Sequence, residues 1–411
     1  MISEKGQKVI KVSKNLKAIV CLPLAALMLL AGCQTEPSSP EPEETVVTTE
    51  EPTTAAPTTK PIATADSANV KKYDFLAIKQ KNGEITSDFN DIVNEKKFKG
   101  VIYAKLGNDF EYISSTGASE STKHKDNSIN TCFCVGGLTQ QVTAAAVLLL
   151  AEDEKLRLDD TLDTFFPDYE YGAGITVQNL LDMTSGIKSY ILRTDISDMA
   201  AYPAIDLGDK LSEDNSYEEN KSAVLEWIFR QELDFEPSES FAISDSNYYL
   251  LGEIIAKASG ESYESYVKSH LFKPLAMNNT GFEENDRLAA PFDEGAETDK
   301  LTYAGVGYSA CGMISNISDI LRWTDGVFTD GVLAEESVKI MQKEGNHNFS
   351  CGATIKNGRL SSSGRCGAYS ALLSFTPDKS DIFISLSNYN YSDPYYLHSA
   401  FRNYLARFAV S

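Results

Sequence analysis

Residues 132–153 read CFCVGGLTQQVTAAAVLLLAED, and their reading decides how the rest of the chain is taken. Val142, Ala145, Ala146, Leu149 and Leu150 recur at helical spacing, so the segment predicts a helix with one apolar face. That helix opens on Gly136-Gly137 and Gln140-Gln141, residues that bring neither a nucleophile nor a useful base.

Outward from this helix, the pattern changes at both ends. Residues 100–115, GVIYAKLGNDFEYISS, alternate on either side of Gly107-Asn108, as a β-hairpin does. From Gly137 to Phe328 helical periodicity dominates, in SAVLEWIFRQ (222–231), SNYYLLGEIIAKASG (246–260) and NISDILRWTDGVF (316–328), with Gly260 placed as a helix stop. The tail returns to strands. CGATIKNGRLSSSG (351–364) carries an Asn357-Gly358 hairpin signal, residues 369–389 read as two strands about Pro377-Asp378, and residues 395–410 as a closing helix. Strands at both ends with helices between exclude a run of βαβ units. They predict an α+β fold: one antiparallel sheet built from both ends of the domain, flanked by helices, with a mostly helical inserted region.

The first 70 residues are a different kind of polymer. Lys5, Lys8, Lys11, Lys14 and Lys17 precede AIVCLPLAALMLL, an apolar run too short to span a bilayer, and the run ends in Leu30-Ala31-Gly32-Cys33. This resembles the bacterial lipobox, which implies a signal peptide over 1–32 and a lipid on Cys33, anchoring an extracytoplasmic protein without spanning the membrane. Residues 33–70, rich in Thr, Pro and Glu, cannot bury enough apolar surface to fold and read as a tether. The folded domain is expected over 71–411. Loss of the leader would move the formal charge from −22 to about −26, which disfavours phosphate backbones and nucleic-acid partners. Four histidines and no CxxC or HxxxH spacing point to no metal and no cofactor.

The segments 133–169, 175–187, 246–282, 308–323 and 369–378, in this order, resemble the serine β-lactamase and penicillin-binding-protein superfamily, nearest the class C enzymes, DD-carboxypeptidases and related esterases. The similarity covers about residues 95–390. It implies an acyl-transfer fold whose chemistry needs a serine at a helix start, a base within reach of it, and two backbone N–H groups for the oxyanion. In this chain the Ser-x-x-Lys positions are Gly137 and Gln140. The Tyr-x-Asn motif falls on Ile243-Ser244-Asp245, and the Lys-Thr-Gly or His-x-Gly motif on Ser362-Ser363-Gly364. Loss of the nucleophile alone costs a serine hydrolase on the order of 10⁶ in rate. By the same resemblance the N–H groups of Gly137 and Arg365 would leave a pocket for a carbonyl or carboxylate oxygen. Gly137, Ser244, Asp245 and Arg365 are then the expected binding residues, with Asp245 a candidate partner for Arg365.

Two Ser-x-x-Lys spacings occur elsewhere, Ser185–Lys188 and Ser265–Lys268, about the number chance supplies. Thr139 is turned about 200° from position 137. His124, His270, His347 and His398 fall outside the segments that the family brings to its cleft and read as surface or packing residues. Five cysteines remain beyond the leader and Cys33. Cys134 and Cys366 border the old site, where a disulfide or a reactive thiol is open, whereas the hairpin register sets Cys366 only diagonally from Cys351, against a bridge. The reading is a lipid-anchored, catalytically inactive homologue that binds a peptidoglycan peptide or small carboxylate ligand in the old cleft. The alternatives are an active serine hydrolase with a displaced nucleophile, and a structural or adhesive surface lipoprotein.

Overall fold

The computed structural model describes residues 83–107, 110–120, 124–193, 201–203, 205–208, 210–293, 296–297, 304–328, 331–345 and 347–406. The leader, Cys33 and the tether lie outside the described residues. In chain order the main elements are α1 (Gly83–Glu95), β1 (Gly100–Leu106), β2 (Phe110–Thr116), α2 (Thr139–Glu152), α3 (Tyr217–Phe229), α4 (Asp245–Ser259) and α5 (Ile317–Gly326). The C-terminal part adds β3 (Phe349–Ser350), β4 (Ala353–Lys356), β5 (Arg359–Cys366), β6 (Tyr369–Phe375), β7 (Asp381–Ser387) and α6 (Pro394–Ala406).

The seven strands form one antiparallel sheet in the order β3-β4-β5-β6-β7-β1-β2, so β1 of the N-terminal hairpin is paired with the last strand, β7. This is the sheet from both chain ends that the sequence pattern requires. Its turns obey local chemistry: Lys356 pairs with Arg359, leaving Asn357-Gly358 as a two-residue loop with φ of 52° and 72°, the left-handed pair a type I′ turn demands.

One sheet face packs against α1 and α6 through Phe89, Val93, Ile102, Phe383, Leu397 and Phe401, with Phe89 and Phe401 stacked at 4.0 Å. Helix α1 was not anticipated in the sequence reading, although Phe89, Ile92 and Val93 already carry its apolar stripe. The opposite face carries the larger core, which includes α2 and α4. Helix α2 departs from the expected one-faced pattern. Every residue from Thr139 to Leu148 is buried and Leu149 is only partly so, because α2 is surrounded by other elements instead of lying on the surface. A helix apolar on nearly all sides belongs in an interior. Helix α4 stops at Gly260, whose φ of 76° is the left-handed C-terminal conformation glycine adopts without a Cβ penalty.

Candidate functional site

The chain reaches α2 through Phe133–Cys134, a short strand paired with Ile314–Ser315, and then a 3-10 turn over Gly136–Leu138. This turn faces β5. Strand alternation sends Ser362 and Gly364 toward it, while Arg365 projects from the other side of β5. Helix α4 brings its first residue, Asp245, to the same place, so the positions of all three family motifs meet, as the resemblance implies.

Their side chains are bound to one another. Gln140 Nε2 donates to Asp245 Oδ1 at 3.1 Å. Gln141 Nε2 donates to Ser362 Oγ at 2.6 Å, Ser362 Oγ donates to Gly352 O at 2.5 Å, and Trp323 Nε1 donates to Gln141 Oε1 at 3.0 Å. Asp245 is further held by Ser189, whose hydroxyl accepts from the Asp245 N–H at 3.1 Å. Gln140, Gln141, Asp245 and Ser362 are each at most 5% exposed. Buried amides, a carboxylate and a hydroxyl satisfied in this way stabilise a fold; each would be costly if left without its partner.

Backbone packing closes the same point. A Cβ placed on Gly137 would come 2.4 Å from Ser363 O, and one on Gly364 would come 2.1 Å from Gly137 N. Gly136, at φ 53°, is also confined: its Cβ would meet Arg365 N at 2.8 Å. A side chain at the position that holds the nucleophile in the family would therefore have to displace the β5 backbone. The Gly137 amide, one of the two expected to face an oxyanion pocket, lies close against the backbone of Gly364.

One further expectation is corrected. The Arg365 guanidinium donates to Asn390 O at 3.1 Å, with Asp393 and Tyr395 as its electrostatic neighbours, whereas the contacts of Asp245 run to Gln140 and Ser189 on the other side of β5. The two do not form the anticipated pair because neighbouring strand positions face opposite ways. Ser244, expected to bind ligand, is buried at the N-terminal end of α4; its N–H donates to Met183 Sδ at 3.4 Å and its hydroxyl has no hydrogen-bond partner among the described residues. Ile243, in the place of the phenol, stands 41% exposed.

Two of the hydroxyls weighed as displaced nucleophiles are held in packing hydrogen bonds. Ser185 Oγ is buried, donates to Asn247 Oδ1 at 2.6 Å and accepts from Ile187 N at 3.1 Å. Thr139 Oγ1 donates to Gly136 O at 2.6 Å and accepts from Met313 N at 3.1 Å. Of the histidines, His270 stacks on Tyr266, His347 on Phe241 and His398 on Phe383, the packing roles expected of them. Cys132, Cys134, Cys311, Cys351 and Cys366 make no disulfide, so the Cys134–Cys366 alternative is not realised. Burial pushes the Cys132 thiol up to about 11 and the Cys351 thiol up to about 12, which suppresses the reactive thiolate.

Gln141, Trp323 and Gly352 were missed by sequence reasoning. Gln141 had a signal, since it is a second amide at the start of a helix that is otherwise apolar; Trp323 and Gly352 reach the site only through the tertiary fold.

A family model described as Beta-lactamase matches residues 99–406. Among curated proteins, the chain is 27% identical over 283 residues to Penicillin-binding protein 4* of Bacillus subtilis (strain 168), covering 62% of this chain and 58% of that protein. It is 28% identical over 280 residues to the Putative penicillin-binding protein PbpX of the same organism, covering 66% of each. The match thus spans under two thirds of the first relative's length. Among solved structures, a penicillin binding protein from Bacillus halodurans superposes with a TM-score of 0.66 at 19% identity, covering 77% of this chain and 98% of that one. FmtA from Staphylococcus aureus gives 0.60 at 16% identity, covering 74% and 83%. At these identities the structural matches speak for the fold alone.

Proposed function

Because the chain belongs to the beta-lactamase family, we propose that it is a non-catalytic member, held at the extracytoplasmic face by a lipid on Cys33. On this reading it uses the scaffold for non-covalent recognition of a cell-wall peptide or a related extracellular ligand. The observation that carries the proposal is the buried network of Gln140, Gln141, Asp245 and Ser362: residues at the working positions of all three motifs are engaged in holding the fold. Without a serine at 137 there is no acyl acceptor, and without a lysine at 140 no base to activate one. The close contact of Gly137 with Gly364 further argues that recognition uses a surface other than the old amide pair. The basic leader and the Leu30–Cys33 sequence support the location, as do the penicillin-binding proteins among the relatives.

The test is the intact mass of the full-length chain after incubation with a reactive penicillin. An unchanged mass is expected. A stable adduct removed by Ser185→Ala, or by any other single Ser→Ala, would sink the proposal in favour of a displaced nucleophile. Recognition is tested by the melting temperature during titration with D-Ala-D-Ala peptides and muropeptides, because a ligand of the native state must raise it. The absence of any shift at millimolar ligand would favour a purely structural role.

A further inference from the structure

The Ser265-x-x-Lys268 spacing, idle as a catalytic motif, lines a cavity of about 510 Å³ between residues 264–272 and the loop 278–287. This volume lies within the roughly 300–1,000 Å³ of pockets that enclose small molecules. The backbone on one side is unusual: after a short α-helical stretch, Lys268–Phe272 forms a π-helical turn, a rare insertion that recurs at functional sites. The loop on the other side is pinned. Asn279 N donates to Asp319 Oδ2 at 2.7 Å, Gly281 exchanges hydrogen bonds with Ile314 at 3.0 and 2.8 Å, and Cys132 N donates to Arg287 O at 2.8 Å. The cavity is therefore preformed instead of being shaped by a ligand.

Its lining combines three kinds of group. Lys268 and Arg287 donate hydrogen bonds only, the carboxylates of Glu283 and Asp286 accept only, and asparagine amides do both. The half-buried ring of Phe282, fixed by a stack on Phe272 and an edge contact with Tyr263, adds an apolar face. Alternating donors and acceptors around an aromatic face match a molecule whose hydroxyls both give and receive hydrogen bonds and whose ring C–H groups form an apolar side. The four carboxylates of the lining outnumber its two cations, which disfavours an anionic ligand. Among the described residues no group of three or more His, Cys, Asp or Glu is arranged to hold a metal ion.

We propose that this cavity is a binding site for a short uncharged or amine-bearing saccharide. The proposal rests on the reading that the chain recognises an extracellular ligand non-covalently, and it places that recognition outside the old cleft.

The experiment titrates the full-length chain with three probes followed by calorimetry: the trimer of N-acetylglucosamine, the trimer of glucosamine, and maltotriose. Saturable binding of at least one is expected below about 10 mM, weakened at least about tenfold in Lys268→Ala or Asp286→Ala, the loss expected for a hydrogen bond to a charged group. Both residues are exposed, so these variants keep the fold. The amine preference is read from the two glucosamine probes: tighter binding of the free amine marks the carboxylates as its partners. No saturable binding by any probe, or binding that both variants leave unchanged, overturns the proposal. The penicillin mass experiment is indifferent to this cavity, so the two readings can fail separately.

Discussion

The backbone of Gly364 lies against Gly137 so closely that a Cβ on Gly364 would come 2.1 Å from the Gly137 nitrogen. Both residues sit at family motif positions. The strand and the helix start that carry these positions are in direct backbone contact, a contact that glycine on both sides permits.

Placing serine and lysine at the two motif positions is therefore expected not to produce an acylating enzyme. In Gly137→Ser combined with Gln140→Lys, the serine Cβ is forced toward Ser363 O, at 2.4 Å in the present backbone. Such overpacking is expected to cost about 1–3 kcal/mol. Urea denaturation should show the loss, and intact mass after penicillin treatment should remain that of the unmodified chain. Efficient acylation by the double variant would show that β5 yields readily and that only the side chains were lacking.

The Gln140–Asp245 hydrogen bond is expected to behave as a structural pair. Gln140→Ala leaves a buried carboxylate oxygen short of a partner and should lower stability by about 1–3 kcal/mol. In a double-mutant cycle with Asp245→Ala the coupling should exceed about 0.5 kcal/mol. Additive single effects would mean that the contact contributes nothing of its own.

Stability should fall on mild acidification through His398. Burial, aided by Arg359 and Arg402, lowers its pKa from 6.5 to about 4, so the ring is neutral in the fold and becomes charged in the unfolded chain between these values. The unfolded state then binds more protons, and the contribution present above pH 6.5 is lost as the pH drops toward 4. Replacing the ring with a group that does not titrate, His398→Phe, should flatten the stability profile over this window. An unchanged slope in chemical denaturation would assign the acid sensitivity elsewhere.

Native thiol labelling should spare Cys132 and Cys351. Both are buried, with pKa values pushed up to about 11 and about 12, so little thiolate exists at neutral pH. Iodoacetamide followed by peptide mass mapping should modify them only after denaturation. Rapid native labelling of Cys351 would show that the turn joining β3 to β4 opens.

Much of the architecture was legible beforehand because it is written in local patterns. Alternation marked the hairpins, Asn357-Gly358 named its own turn type, and Gly260 stopped α4 where a left-handed residue was needed. Helix α1 went unread because its stripe is short and follows the Pro-rich tether, although Phe89 proves central to the layer beneath α6.

The sequence by itself determined what this protein lacks: a nucleophile at Gly137, a base at Gln140, a phenol at Ile243 and a cation at Ser362, each readable from residue type alone. Only the tertiary structure decided what replaced them. Gln141 and Ser362 are 221 positions apart, and Gln140 and Asp245 are 105 apart, so no local pattern could show that they bond. Nor could glycines 137 and 364 announce their contact, since composition records the absence of a side chain but not the backbone that fills its space. Hydrogen-bond partners and steric room belong to the packed fold, and it is there that the residues at the motif positions become a hydrogen-bonded, tightly packed joint.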